Sequence, residues 1–534
     1  MAINFIHSYL KETKMFTAPK PTPALCLQQT IILSIFLLVA NFASAYSGGD
    51  GSPNNPYQIA DVNDLLYLGS DEPNYDKFFI LTADINLAPN LPGRQIFNNA
   101  VIAPGDYPSG FTGSFDGACH KISNLTINAD PNIYGCLGLF GVVGGKINNL
   151  GLEDVNIIGG NDLGNVGGLV GGNDNGTISN CYSKGNIYVG ITAHNVGGLV
   201  GSNGGDINNC YSKGIIAVAG TESYIYPGAS NFGGLVGENV SEYFITGAIS
   251  NSYSSCDVIC GKNVGNIGGL VGLNGTTFPF CQVTNCYSAG TVSVENGSSI
   301  GGLVGSNWAG INSCFSTSSV IVLGSSSSIG GLVGDSSWGD INNCYSTGDV
   351  NGGDYSSKIG GLVGLVGINY GSVITNCYST GNVSGGINDI GGLIGAIYLG
   401  TVTASFWDVN TSGLTFSAGG TGKTTAEMKT ESTFTNASWD FVNETVNGTD
   451  DIWSIKEDVN YPVLVWPLVN LVIPSQFGWY KVNFIDFAAM ANWWKHRDCA
   501  VNNDCGGADF DFSGTIDMAD LEIFCRYWLA GTTD

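Results

Sequence analysis

The residues best equipped for chemistry lie near the C-terminus, in D-F-D-F-S-G-T-I-D-M-A-D, Asp509 to Asp520. Oxygen donors fall in the register of a twelve-residue calcium loop: Asp509, Asp511, Ser513, the Thr515 carbonyl, Asp517 and Asp520, with Gly514 where such a loop turns sharply. Hard oxygen donors at this spacing favour Ca2+ over transition metals. The plain alternative is a solvated acidic turn ahead of a helix, and four carboxylates in register weigh against it. Other candidates are thinner. His7, His120, His194 and His496 form no metal-ligand pattern and no convincing triad. Asp335, Asp340 and Asp354 are isolated acids with no recurring partner. S-A-G-G-T-G-K-T, Ser417 to Thr424, nearly matches a phosphate-binding loop, but Ser417 stands where the first glycine belongs. The strand before and helix after that such a loop needs are not visible, so it reads as a flexible turn.

The elements that must position these residues are dominated by a repeat. G-G-L-[VI]-G begins at Gly167, Gly197, Gly233, Gly268, Gly301, Gly330, Gly360 and Gly391, with a variant L-G-L-F-G at Leu137. Each block leads through a polar turn into I-x-N-C-Y-S. A fixed period of this size means stacked units that bury a continuous core. Short β-branched and aromatic runs cut by Gly and Asn read as strands and turns, with no helical period. The expected fold is all-β, a right-handed parallel β-helix of about nine coils, in which like residues stack on like. Insertions map to the loop after Y-S-x-G.

The second half of the repeat fixes two columns. Cys181, Cys210, Cys286, Cys314, Cys344 and Cys377 share a position with Ser252, Ser405 and Leu150. A disulfide framework tolerates those exchanges poorly, whereas a small buried side chain tolerates them well, so free buried thiols are expected. The next residue is aromatic: Tyr182, Tyr211, Tyr253, Tyr287, Phe315, Tyr345, Tyr378 and Phe406. Neighbours in a strand point to opposite sides, which puts the aromatics on the outside. Two readings of that stripe stay open: a surface that stacks on sugar rings or a partner, or rings packed under loops.

Composition narrows the class. Of 534 residues 12% are charged, yet the formal net charge is −26, and Gly reaches 79. The acidic balance argues against nucleic acid, which needs clustered Lys and Arg. Residues 31–45, I-I-L-S-I-F-L-L-V-A-N-F-A-S-A, follow Lys11, Lys14 and Lys20 and end in A-S-A, as a cleaved secretory signal does. The mature chain is then exported, with no membrane span. Export permits disulfides, and Cys499 and Cys505 bracket a short loop, leaving Cys525 odd. The domain reading is a signal over 1–45, a β entry region over 46–134, the solenoid over 135–406, a capping region over 407–470 and a calcium module over 471–534.

These residues resemble two known families. The repeat, G-G-L-V-G followed by I-x-N-C-Y-S-x-G-x-V, resembles the GLUG motif over residues 135–410. That resemblance implies a secreted or surface protein with a scaffold or adhesive role. The C-terminal segment, with I-D-F-A-A-M-A-N-W-W and A-D-L-E-I-F-C-R-Y-W-L, resembles a dockerin type I module, small, α-helical and EF-hand-like. In the first half of that module Asn483 and Asp486 align with Asp517 and Asp520, but Ser475, Phe477 and Trp479 fall where acids belong, so one ion is expected. The resemblance implies a cohesin-like partner for the module, while the solenoid would meet a glycan or cell-surface partner. The function that follows is a non-enzymatic extracellular β-helix scaffold attached through a calcium-dependent module. The alternative is a component of a polysaccharide-degrading system, with hydrolase or lyase activity on the β-helix.

Overall fold

The structure is a computed structural model. It describes residues 46–104, 110–129, 135–221, 230–242, 245–275, 281–367, 371–442 and 444–466, and further on 487, 490–495, 499, 508–510, 513 and 515–526. The expected signal segment, the first-loop positions Ser475, Phe477, Trp479, Asn483 and Asp486, and Asp511 and Cys505 lie outside the described residues.

The repeat builds a parallel β-solenoid of about nine turns, as its period predicts. One coil shows the rule. His194–Gly197 belongs to an 8-stranded sheet (sheet I), Val200–Asn203 to a 9-stranded sheet (II), Asp206–Asn208 to a 12-stranded sheet (III), and Tyr211–Val218 to a fourth stack (IV). Every coil repeats this order, and each strand pairs in parallel with its equivalent: Val200 with Val236, Ile207 with Ile249, Tyr211 with Tyr253. From Tyr253–Cys260 onward sheet IV divides into two short strands per coil, Tyr287–Ser288 and Thr291–Val294 being the first pair.

The motif letters follow from close packing across the coil. Val200, Leu199, Ile207 and Val196 are fully buried and stack on their like. The last glycine of G-G-L-V-G sits where sheet II crosses the backbone of sheet I. A Cβ on Gly237 would collide with the backbone at Asn195 and Val196. The serine of C-Y-S crosses the core to the other half of the motif: Ser212 Oγ donates to the Gly234 carbonyl at 2.6 Å, and Ser288 and Ser379 repeat the bond to Gly302 and Gly392. The two halves of the repeat therefore co-occur because they touch.

The asparagine after G-G-L-V-G forms a column that the sequence reading left within a polar turn. Asn173, Asn203, Asn239, Asn274 and Asn307 are buried, and each Nδ2 donates to the next oxygen at 2.7 to 3.1 Å, ending on Ser336. Two outer amide ladders run the other way. Asn195, Asn231 and Asn266 each donate back to the preceding rung at 2.8 to 2.9 Å. Asn180 and Asn209 do the same from the corner before the Cys column. That corner needs a left-handed residue, which Asn tolerates best among side-chain-bearing residues, and Asn180, Asn209, Asn251, Asn285, Asn343 and Asn376 all have φ of 49 to 57°.

Both ends are closed. At the start, the β expectation for the entry region omits one element, a nine-residue α-helix, Val62–Ser70. Asp61 caps it through the N–H groups of Asn63 and Asp64, and Val62, Leu65 and Leu68 bury one face. Sheet III continues through this region as Tyr57–Ile59, Phe78–Leu81 and Ser114–Asp116. At the far end Thr421–Lys423 adds a rung to Phe406–Asp408. The chain then turns back along sheet IV. Buried Asp408 fastens this return, accepting from Tyr461 Oη at 2.8 Å and Thr425 Oγ1 at 2.7 Å.

Candidate functional site

The Cys column is inside, and its thiols are free. The structure adds a reason that size alone does not supply. Each thiol bridges two coils: the Cys181 N–H donates to Cys210 Sγ at 3.3 Å, and Cys314 N–H to Cys344 Sγ at 3.4 Å. Serine performs the same task, since Cys210 N–H donates to Ser252 Oγ at 3.0 Å and Cys377 N–H to Ser405 Oγ at 3.2 Å. Each sulfur also faces the carbonyl two residues back, as Cys344 does at 3.0 Å to Asn342. The column therefore selects a small group that donates and accepts. Burial pushes the thiols of Cys286 and Cys344 up, which keeps them protonated and unreactive.

The aromatics do lie on the outer side, and of the two readings left open, rings packed under another segment fits the structure. From Tyr182 to Tyr378 consecutive rings stack with centroids 4.9 to 5.0 Å apart and planes within 16°. Each face is covered by its neighbours, so no face is left for a sugar ring. The C-terminal return then covers the later rings. Trp453 packs on Tyr345 and Tyr378, Trp439 on Tyr378 and Phe406, and Trp466 on Tyr287 and Phe315. Trp466 Nε1 donates to the Ser313 carbonyl and Trp439 Nε1 to that of Ala404, both at 2.8 Å. The stripe is the floor of a second core.

At the other end of the stripe lies a cluster of ionisable side chains. Glu153 accepts from Lys121 at 2.8 Å, from Lys184 at 3.4 Å and from Tyr182 Oη at 3.3 Å, while His120 Nδ1 lies 3.0 Å from Asp84. Lys121's hydrogen bond holds the Glu153 carboxyl below its usual range, and burial pushes the Tyr182 phenol up. Glu153 is thus a poor proton donor and Tyr182 a poor base at neutral pH. Asp335, Asp340 and Asp354 do not converge. Asp335 lies buried in sheet II bonded to Ser337 at 2.8 Å, Asp340 accepts from Val373 N–H at 2.9 Å, and Asp354 is on an exposed loop. His194 bonds Ser230 at 2.9 Å, and His7 and His496 lie outside the described residues. The phosphate-loop mimic is a rung of the cap. Ser417 Oγ accepts from Ile394 N–H at 2.8 Å, and Thr424 and Glu427 cap each other.

Of the calcium-register residues, Asp509, Ser513, Thr515, Asp517 and Asp520 are described. Among the described residues no group of three or more His, Cys, Asp or Glu is placed to hold a metal. Asp517 starts the helix Met518–Arg526: its Oδ1 accepts from Ala519 N–H and its own N–H reaches Asp520 Oδ2, both at 2.9 Å. Such reciprocal capping accounts for part of the acidic pattern. Yet Asp509 and Asp520 are both buried, 2% and 0% exposed, in one loop. Burying a carboxylate is costly unless it is hydrogen-bonded or paired, and Asp520 accepts from Phe510 N–H at 2.8 Å and from Asp517 N–H at 2.9 Å. The module is seated on the cap: Phe510, Ile516, Ile523 and Phe524 share a core with Val442 and Val465, and Ser454 Oγ donates to the Phe510 carbonyl at 2.9 Å. Cys499 is in a disulfide whose partner lies outside the described residues, and Cys525 is free.

Comparison with known proteins bears on the coils. The GLUG motif matches residues 162–188, 192–218, 263–293 and 325–351. The chain thus carries four matches to the GLUG motif. The chain is similar to halomucin of Haloquadratum walsbyi, 34% identical over 162 residues, 28% of this chain and 2% of halomucin. It is also similar to the "Putative Gly-rich membrane protein" of Evansella cellulosilytica, 38% identical over 104 residues, 18% of this chain and 11% of that protein. The chain thus spans a small part of these curated relatives. A crystal structure of "a putative immunoglobulin A1 protease from Bacteroides ovatus" aligns with a TM-score of 0.39 at 19% identity, covering 79% of this chain and 95% of that one. Among the described residues no helix is long and apolar enough to cross a membrane.

Proposed function

We propose that this GLUG-repeat solenoid is a non-enzymatic extracellular scaffold of the cell surface, attached through a calcium-dependent C-terminal module. One observation carries the reading: the repeated polar side chains are spent on holding coil to coil. The Cys, Ser and Asn columns bond their own neighbours, and the acids scatter. Similarity to halomucin and to a protein named for a membrane supports a surface setting. For the module, Asp509, Asp511, Ser513, Thr515, Asp517 and Asp520 are proposed to hold one Ca2+, with a cohesin-like protein as the partner to test.

Cells exporting the full chain provide the test. The chain should stay with the surface fraction and leave it when a calcium chelator is added, while the purified protein releases no sugar from neutral or acidic polysaccharides. Sugar release that disappears in Glu153→Gln would replace this reading with the polysaccharide-degrading one.

A further inference from the structure

We infer that two coils are sockets for tryptophan, which fix where the C-terminal return lies along the solenoid and hence where the module it carries is held. The left-handed corner before the Cys column is asparagine in every coil but two, where it is Ser313 and Ala404, with φ of 52° and 45°. The ring two residues on is tyrosine in every coil that carries one except the same two, where it is Phe315 and Phe406. Those are the coils on which indole N–H groups land. Trp466 Nε1 donates to the Ser313 carbonyl and Trp439 Nε1 to the Ala404 carbonyl, both at 2.8 Å. Neither departure means anything as sequence; the indoles seated on both give them one cause.

Without a socket, each departure would weaken its coil. Asn tolerates a left-handed backbone better than Ser or Ala does. At the corner it also extends the outer ladder, as Asn285 does to Asn251 Oδ1 at 3.3 Å and Asn376 to Asn343 Oδ1 at 3.4 Å. At Ser313 the ladder breaks, and Asn343 Nδ2 turns instead to Asn312 Oδ1 at 3.4 Å. The small side chain leaves the corner carbonyl open to an indole from outside, and Ala404 packs against the core of the return. Phenylalanine puts no phenol beneath the indole that would need a partner. Tyr378, which keeps its hydroxyl under the return, donates it to the Pro462 carbonyl at 2.6 Å. Trp453 supplies the contrast. It lies over Tyr345 and Tyr378, whose corners are Asn343 and Asn376, and its buried Nε1 meets no hydrogen-bond partner among the described residues. An indole over an Asn–Tyr coil packs; over a Ser–Phe or Ala–Phe coil it also bonds. The sockets are three rungs apart, about 14 Å at the spacing of parallel strands. Between them the return holds the module, through Ser454 Oγ to the Phe510 carbonyl at 2.9 Å and through the core that Val442 and Val465 share with Ile523 and Phe524.

Hydrogen exchange of the full chain reads the return through the amides of Val442, Trp453 and Val465, which donate to the carbonyls of Trp453, Asp440 and Ile452. Trp466→Phe and Trp439→Phe should each speed that exchange by about fivefold, the effect of one ordinary hydrogen bond on a local opening. Trp453→Phe, which removes an N–H without a partner, should not. The deciding variant gives one socket coil the residues of its neighbours, Ser313→Asn with Phe315→Tyr. Backbone preference alone would leave that coil unchanged or firmer. A socket requires the return to open faster, while the coils over residues 281–367 keep their protection. A double variant whose return exchanges no faster than the parent's would overturn the inference. So would an unchanged return in Trp466→Phe, or Trp453→Phe loosening it as much as Trp466→Phe does. Neither Ca2+ nor a partner enters the measurement, so failure here leaves the surface reading untouched.

Discussion

Asn239→Ala tests whether the buried amide column holds the coils together or merely fills space. Asn239 is fully buried. Its oxygen accepts from Asn203 Nδ2 at 2.9 Å, and its nitrogen donates to Asn274 Oδ1 at 2.9 Å and the Gly247 carbonyl at 3.2 Å. Alanine leaves Asn274 Oδ1 without that donor, whereas Asn203 Nδ2 keeps the Gly205 carbonyl at 2.8 Å and the Gly247 carbonyl keeps the Gln282 N–H at 3.2 Å. A buried group left unsatisfied costs roughly 1–3 kcal/mol, so a loss of about 1–3 kcal/mol is expected before any cavity is counted. Asn239→Ser should cost clearly less, because the column already ends on a serine that accepts from Asn307 and donates to the Gly339 carbonyl. The assay is denaturant unfolding of the full chain, joined to hydrogen exchange to locate the loosened coils, since repeat arrays need not unfold as one unit. An alanine variant within about 0.5 kcal/mol of the parent, or no worse than serine, would refute the reasoning.

Thiol titration should find Cys286, Cys314, Cys344 and Cys377 silent in the native chain and reactive in denaturant; full reactivity without denaturant would contradict their burial. Burial pushes the Cys256 thiol up from 9.0 to about 11, so the native state holds its proton longer than the unfolded chain. Stability should be level below pH 9 and fall between pH 9 and 11, and the thermal midpoint measured across that window checks the sign. Calorimetric titration of the full chain should find one Ca2+, lost in Asp509→Ala, Asp511→Ala; two ions, or none, would contradict the single-loop reading. Gly237→Ala should weaken the coil by more than the fraction of a kcal/mol that glycine's flexibility is worth, because the added methyl meets backbone; a neutral or stabilising result in thermal unfolding would mean that sheets I and II can part there.

Much of the fold was legible because a parallel solenoid copies one-dimensional pattern into stacking. Spacing alone separates Cys181, inside, from Tyr182, outside. Asn203 was missed because a polar residue in a Gly-rich stretch reads as a turn, and only the closed coil shows that it is buried beside its equivalents. The recurrence of Asn173, Asn203, Asn239, Asn274 and Asn307 at one place after G-G-L-V-G was the available signal. The stripe was placed on the correct side, with its use left open between a binding surface and rings packed under another segment. Like-on-like stacking, already inferred for the aliphatic residues, also covers the ring faces. No local pattern reveals that Trp439, Trp453 and Trp466 return to cover Tyr345, Tyr378 and Phe315, since that contact joins distant segments. The acidic loop shows the opposite limit. Its register is plain, yet Asp517 and Asp520 also cap a helix, and two uses of one carboxylate pair cannot be separated by spacing.

The opposed directions of the amide ladders have a consequence for length. An α-helix aligns its peptide dipoles and ends in partial charges of opposite sign. Here the inner column, Asn173 to Asn307, donates towards the C-terminal end, while the outer ladders through Asn195 and Asn180 donate towards the N-terminal end. Their dipoles oppose one another along the axis. A coil added within the array adds a rung to each ladder, so the opposed contributions grow together and polarity does not build up in one direction alone.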